Sequence, residues 1–322
     1  MSPSRSTQAR TESTDHSLSF LTVKLTKHSF APRYWLSWLW LFFLRFTTIL
    51  PLAWSRALGA GLGLLMMANR KRRRIARINL ELCFPKLSLR EHEHLRRRHF
   101  IVSGQSYVDL AYLVWASERR ILRKTHIRGL EHYHDLRGRN VILLAPHCVG
   151  INFGGSVIAR ERAIFTMVKL QGNPVVNWLL NRAQTRFNSF LLSRAQGLRP
   201  VIRGLKQGLV FHYSPDEDFG DRQSVFVPFF GVPTATLTTL GRLAHLTNAL
   251  VVPCFTRLLP GGRGYEVNLK PPLEDFPTGD RTRDAARMNA VIEEGLRPMP
   301  EQYLWTFKLF KTRPGQAPSP YG

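Results

Sequence analysis

Val141-Ile142-Leu143-Leu144-Ala145-Pro146-His147-Cys148-Val149-Gly150-Ile151-Asn152-Phe153-Gly154-Gly155 is the stretch on which the fold turns. Asn140–Ala145 reads as a buried strand, apolar from Val141 onward. Pro146 ends it, and His147 sits just past its carboxyl end. The small residues that follow let backbone approach a ligand closely. In open α/β sheets, sites form beyond the carboxyl ends of strands. His147 is therefore the first candidate for a catalytic group. Cys148 follows at once, and a thiol nucleophile needs a histidine base. Sequence neighbours rarely present both side chains to one point, so a Cys–His enzyme is disfavoured.

Outward from this stretch, strands and helices alternate. Residues 163–169, 209–213, 250–256 and 265–269 read as strands. Residues 174–187, 238–248 and 282–296 read as helices, the first with Pro174 in its opening turn. The fold class is α/β: a mixed, largely parallel sheet flanked by helices. Upstream, residues 78–135 are charged and helical in pattern. His92 and His94 are two apart and point to different helix faces, so they are not a metal pair.

Two further constellations stand out. Tyr213-Ser214-Pro215-Asp216-Glu217-Asp218-Phe219-Gly220 follows another apolar strand. Its acids suit a turn ending at Gly220, a metal site, or the orientation of a basic group. Val225–Gly231, which follows, suits either a lining for fatty chains or plain core. On the 174–187 helix, Arg182 and Arg186 are four apart and share a face, a pairing suited to phosphate or carboxylate. The plainer reading is an ordinary surface helix.

The N-terminal third is built differently. Residues 1–33 are Ser-, Thr- and base-rich without periodicity and read as a disordered tail. No cleaved signal peptide is expected. Residues 34–55, YWLSWLWLFFLRFTTILPLAWS, carry one charge, Arg45, and one breaker, Pro51. The length suits a membrane-spanning helix, or a helix lying in the interface with its Trp residues at head-group level. Together with the apolar run 57–68, residues 34–68 are expected to form a hydrophobic membrane anchor, leaving 69–322 as the main domain. A buried helix pair is the alternative.

The 322 residues carry 46 Lys and Arg against 22 Asp and Glu, a net charge of +24, which calls for an anionic partner. Arg70-Lys71-Arg72-Arg73-Arg74-Ile75-Ala76-Arg77 directly follows the apolar segment. That placement favours lipid head groups over nucleic acid. Nucleic-acid binding would need aromatics interleaved with the bases, and here they gather in 34–55. The three cysteines have no CxxC spacing and suggest neither a zinc cluster nor a disulfide framework.

Taken in order, several blocks resemble the late acyltransferases of bacterial lipid A biosynthesis. They are Arg72–Pro85 (RRRIARINLELCFP), Pro215–Gly220 (PDEDFG) with Ser224–Phe230 (SVFVPFF), and Pro300–Trp305 (PEQYLW) with Phe310–Pro314 (FKTRP). The resemblance runs over about residues 34–318. It implies an α/β acyltransferase domain held at the cytoplasmic face of the inner membrane by an N-terminal hydrophobic helix. The donor would be an acyl chain on acyl carrier protein. The acceptor would be a hydroxyl on a lipid A precursor, and no metal or cofactor would be needed. The motif of the family is His, four residues, then Asp or Glu. His147 fits the base position, and position 152 is Asn. Three readings follow: Asn152 orients His147; another acid, Glu161 or Asp216, takes the role; or transfer is lost and only lipid binding remains. The resemblance further implies that Arg182 or Arg186 binds the acceptor, with Asp216 and Asp218 positioning them. A lysophospholipid or other amphiphile is the alternative acceptor.

Overall fold

The computed structural model describes Arg10–Thr11 and residues 18–322. Helices α1 (Trp35–Thr47), α2 (Leu52–Met66), α3 (Arg70–Cys83) and the long α4 (Leu89–Trp115) come first. Then follow α5 (Glu118–Leu122), strand β1 (Thr125–Arg128) and α6 (Leu130–His134). The alternating part is β2 (Val141–Leu144), α7 (Ile151–Ile158), β3 (Ile164–Val168), α8 (Pro174–Gln184), β4 (Ser189–Ser193), α9 (Arg199–Lys206) and β5 (Val210–Tyr213). A hairpin of β6 (Ser224–Phe229) and β7 (Val232–Leu237) precedes α10 (Thr239–Thr247), β8 (Leu250–Leu259), β9 (Gly264–Leu269) and α11 (Arg281–Leu296).

Seven strands form one sheet in the order β1-β9-β8-β2-β5-β3-β4. From β8 to β4 all neighbours are parallel, and the β8–β9 pair is antiparallel. The sheet is mixed and largely parallel, as the alternation predicted. Each residue of β2 is buried, which is why its sequence is uniformly apolar instead of alternating. On one face lie α4, α7 and α8, where Phe153, Val157, Val175 and Leu179 join one core cluster. On the other, α3, α10 and α11 pack through Ile75, Leu243, Met288 and Ile292. The β6–β7 hairpin turns its Val227, Phe229, Val232 and Ala235 inward. Val225–Gly231 therefore contributes Val227 and Phe229 to the core, while Phe226, Pro228 and Gly231 are exposed.

The N-terminal segment departs from the expected single anchoring helix. Leu50 precedes Pro51, which disfavours helical backbone there. The chain accordingly turns after Thr47 and restarts at Leu52. Among the described residues no helix is long and apolar enough to cross a membrane. Instead α2 lies against α4 through small residues. A Cβ on Gly63 would sit 2.1 Å from the Phe100 carbonyl oxygen, and one on Gly104 would sit 2.3 Å from that of Gly59. The buried Arg56 of α2 pairs with Asp109 of α4 at 3.0 Å, and Tyr265 of β9 donates to the same carboxylate at 2.6 Å. Arg56 also donates to the Gly264 carbonyl at 3.0 Å. An ion pair sharing its hydrogen bonds in this way locks α2 to the sheet.

α1 keeps an outward apolar face of Trp35, Leu36, Leu39, Phe42 and Phe46, all exposed. α3 presents Arg70, Lys71, Arg72, Arg73, Arg74 and Arg77, also exposed. Of the segment read as a tail, the described residues pack on the domain: Leu18 and Leu21 are buried, and Phe20 stacks on Phe190 with ring centroids 4.6 Å apart. The remainder lies outside the described residues.

Candidate functional site

Parallel pairing of β2 with β5 sets the site. The Ala145 amide donates to the Tyr213 carbonyl at 2.9 Å, and the Ser214 hydroxyl donates back to the Ala145 carbonyl at 2.6 Å. The two strands thus end level with each other, and the chains beyond them meet. His147 from the first loop and Asp216 from the second are brought into contact over a separation of 69 residues. The His147 ring nitrogen Nδ1 lies 2.8 Å from Asp216 Oδ1, and the His147 backbone N–H donates to Asp216 Oδ2, also at 2.8 Å. Both carboxylate oxygens are engaged by one residue, so the imidazole is fixed in place and orientation.

The electrostatics follow from this geometry. Burial alone would lower the pKa of His147, but the charge and hydrogen bond of Asp216, with Glu217 adding to them, outweigh burial and raise it. For Asp216, burial pushes upward and the partnership with His147 prevails, holding the carboxyl below its ordinary value. Nδ1 facing an ionised carboxylate carries the proton, which leaves Nε2 as the basic nitrogen. Nε2 lies 3.4 Å from Glu217 Oε1, and Arg194 holds that carboxylate in a two-pronged pair at 3.1 and 3.2 Å.

His147 borders a cavity of about 1630 Å³. Met66, Phe100, Tyr107, Leu110 and Ile151 line its side toward α2 and α4. Lys169, Arg194, Arg222, Arg242, Lys308 and Lys311 give it a strongly basic lining elsewhere. Such a cavity suits an amphiphile with both hydrocarbon and anionic groups. Among the described residues no group of three His, Cys, Asp or Glu is arranged to hold a metal ion.

The C-terminal blocks hold this centre in place. Leu304 donates to the His147 carbonyl at 3.0 Å, and Val149 donates to that of Gln302 at 2.8 Å. Asn79 on α3 donates to the carbonyls of Trp305 and Phe307 at 2.6 and 2.7 Å. The Phe307 ring meets the His147 ring edge to face at 5.1 Å. Asp218 accepts from the backbone and hydroxyl of Thr312 at 2.7 and 2.8 Å and from Gly220 at 2.9 Å. It borders the cavity while tying the acidic turn to the C-terminal segment.

Other sequence candidates are placed elsewhere. Asn152, in the first turn of α7, accepts from Gln184 Nε2 at 3.0 Å and has no bond to His147. Glu161 pairs with His134 at 2.9 Å on the surface. α8 ends at Gln184, so Arg186 lies beyond it and does not share a helical face with Arg182. Arg186 donates to the carbonyls of Val114 and Ala116, at 2.6 and 2.5 Å, and so closes the end of α4. Arg182 is exposed and does not line the cavity. Reading by sequence missed Arg194 and His212, which carry no local pattern. Glu217 was read only as one of three acids suited to a turn, a metal site or the orientation of a basic group.

Residues 22–312 match the sequence profile of the bacterial lipid A biosynthesis acyltransferases. The chain is 36% identical over 294 residues to a lipid A biosynthesis lauroyltransferase of Escherichia coli strain K12, covering 90% of this chain and 96% of that protein. It is 34% identical over 290 residues to the lipid A biosynthesis myristoyltransferase of the same strain, covering 88% and 90%. A lipid A biosynthesis acyltransferase of Haemophilus influenzae is 33% identical over 286 residues, covering 88% and 89%. With this likeness along almost its full length, and with the blocks that hold His147 in place among the matched residues, the chain belongs to the family of bacterial lipid A biosynthesis acyltransferases.

Proposed function

We propose that the protein transfers a fatty acyl chain from acyl carrier protein to a hydroxyl of a lipid A precursor. The observation that carries this is the His147–Asp216 pair, with His147 lining a cavity that is apolar on one side and basic on another. Nε2 of His147 takes the proton of the acceptor hydroxyl. The oxygen attacks the thioester carbonyl carbon, the C–S bond breaks, and the imidazolium returns its proton to the leaving thiolate. Asp216 keeps the proton on Nδ1 and stabilises the imidazolium while it lasts. The basic lining suits the phosphates of the acceptor, and an anion that engages Arg194 would loosen Glu217 from Nε2.

The exposed apolar face of α1 and the exposed basic residues of α3 support binding in the interface of an anionic membrane, at the cytoplasmic face of the inner membrane. Surface helices of this kind attach without spanning.

The test is transfer by purified protein from acyl carrier protein thioesters to a Kdo-bearing tetra-acylated lipid A precursor, with His147→Ala alongside. Product from the native protein that disappears in the variant is the expected result. Product with a lysophospholipid but none with the precursor would replace the acceptor. No product with either, in a folded protein that binds the precursor, would favour a silenced lipid-binding homologue.

A further inference from the structure

Beneath His147 the cavity continues between the sheet and helices α7 and α8. The register places Ile164, Thr166, Ser189, Leu191 and His212 on one face of β3, β4 and β5: Ile164 is level with both Ser189 and Val210, and Phe165 with Phe211. Across from them α7 contributes Asn152 and Ser156, and α8 contributes Asn177, Asn181 and Gln184. A Cβ on Gly155, one turn on from Asn152, would stand 3.4 Å from His212 Nε2, so α7 lies directly on that ring.

This region is mostly polar and carries no formal charge, which a bare hydrocarbon slot would not need. Several of its groups also lack partners. Among the described residues, the Ser189 hydroxyl, deeper in the sheet, has none but is sealed from the open cavity. The Asn152–Gln184 bond uses the Asn152 oxygen and the Gln184 nitrogen, leaving the other half of each amide open. His212 is 7% exposed, and burial holds its pKa down at about 4, so its ring is neutral and offers one donor and one acceptor. Water satisfies such groups in an open pocket. A saturated chain would displace that water and leave them unpaired, which is costly. A chain carrying a hydroxyl would replace it.

We infer that the Asn152–Gln184–His212 region is an acyl-chain subsite that selects donors bearing a hydroxyl near the carbonyl end. Asn152 thereby acquires a task that a carboxylate would perform poorly, since a buried charge there would face a neutral chain. The inference rests on the transferase reading above. A site built to hydrogen-bond a substrate hydroxyl rejects the analogue that lacks it far more strongly than a greasy pocket rejects one methylene.

The experiment is a competition. Dodecanoyl and 3-hydroxydodecanoyl thioesters of acyl carrier protein are supplied together with the precursor, and the products are weighed by mass spectrometry. The native protein is expected to favour the hydroxyacyl chain by about tenfold or more. His212→Phe combined with Gln184→Leu is expected to abolish or reverse that ratio. Equal use of the two donors, preference for dodecanoyl, or a preference that survives the double substitution would overturn the inference. Thermal-shift titration with free 3-hydroxydodecanoate and dodecanoate reads the subsite without catalysis. A larger shift for the hydroxy acid, seen in the native protein and lost in the double variant, supports it even where neither thioester is consumed. That last pairing would remove the transferase reading alone. Equal shifts would overturn the subsite.

Discussion

Asp216→Asn separates the two carboxylate positions proposed to serve His147. In the native site Asp216 accepts twice from one residue, at the backbone N–H and at Nδ1, both at 2.8 Å. The backbone N–H can only donate, so one oxygen must face it. An asparagine has a single oxygen. If that oxygen turns to the backbone, its NH₂ faces Nδ1 and donates, so the proton moves to Nε2 and the base is lost. If it turns to Nδ1 instead, the NH₂ opposes the backbone N–H, and a buried donor is left unpaired at about 1–3 kcal/mol. The first arrangement wins, and it fixes the wrong tautomer. General-base catalysis is worth about 10²–10⁴-fold, and the equivalent change in a serine protease costs about 10⁴. We therefore expect kcat for Asp216→Asn to fall by about 10³-fold with an unchanged circular dichroism spectrum. Asn152→Ala, which removes a bond to Gln184 and none to His147, should cost at most about tenfold with a dodecanoyl donor. Initial rates of acyl transfer decide it. Native-like turnover in Asp216→Asn, or a loss in Asn152→Ala as large as that in Asp216→Asn, would refute the assignment of Asp216.

Other outcomes follow from the same structure. His147 must be unprotonated to act, and its pKa is raised. The rate should therefore climb with pH through a value above the ordinary histidine pKa of about 6.5. In Asp216→Asn the charge that opposes burial is gone, so this acid limb should move to lower pH even as the plateau drops. An unmoved limb would show that another group controls it. Leu39→Glu with Phe42→Glu removes two exposed side chains from the α1 face. At about 1.5–3 kcal/mol for each side chain fully buried, partial insertion still predicts a tenfold or greater loss of binding to anionic vesicles in sedimentation assays. Unchanged partitioning would move the membrane face elsewhere. Asp109→Ala leaves the buried Arg56 unpaired and should cost about 3–5 kcal/mol in denaturant unfolding. A loss below about 1 kcal/mol would mean that α2 is not locked to the sheet by this pair.

Much of the architecture was legible along the chain because it is encoded locally. Uniformly apolar runs of four to six residues between helical stretches mark parallel strands buried on both faces, and 140–145 announced both the central strand and the place of His147. The basic run at 70–77 and the apolar run before it were equally plain. What a single anchoring helix would have required, the sequence contradicted at Leu50–Pro51. The outcome, two helices with one locked to α4, depends on glycines at 59, 63 and 104 meeting across a gap of about forty residues. No local pattern shows which helix those glycines face.

The sequence by itself determined the alternating fold, the basic character, the candidate His147 and the order of the family blocks. Tertiary structure decided which carboxylate contacts that histidine. Position 152 is five residues away in the chain, yet α7 carries its side chain toward Gln184. Asp216 is 69 residues away, yet the parallel register of β2 and β5 sets it against both nitrogens of His147 that need an acceptor. Helical rotation separates near neighbours, and strand pairing joins distant ones, so spacing in sequence could nominate Asp216 but only the sheet could place it.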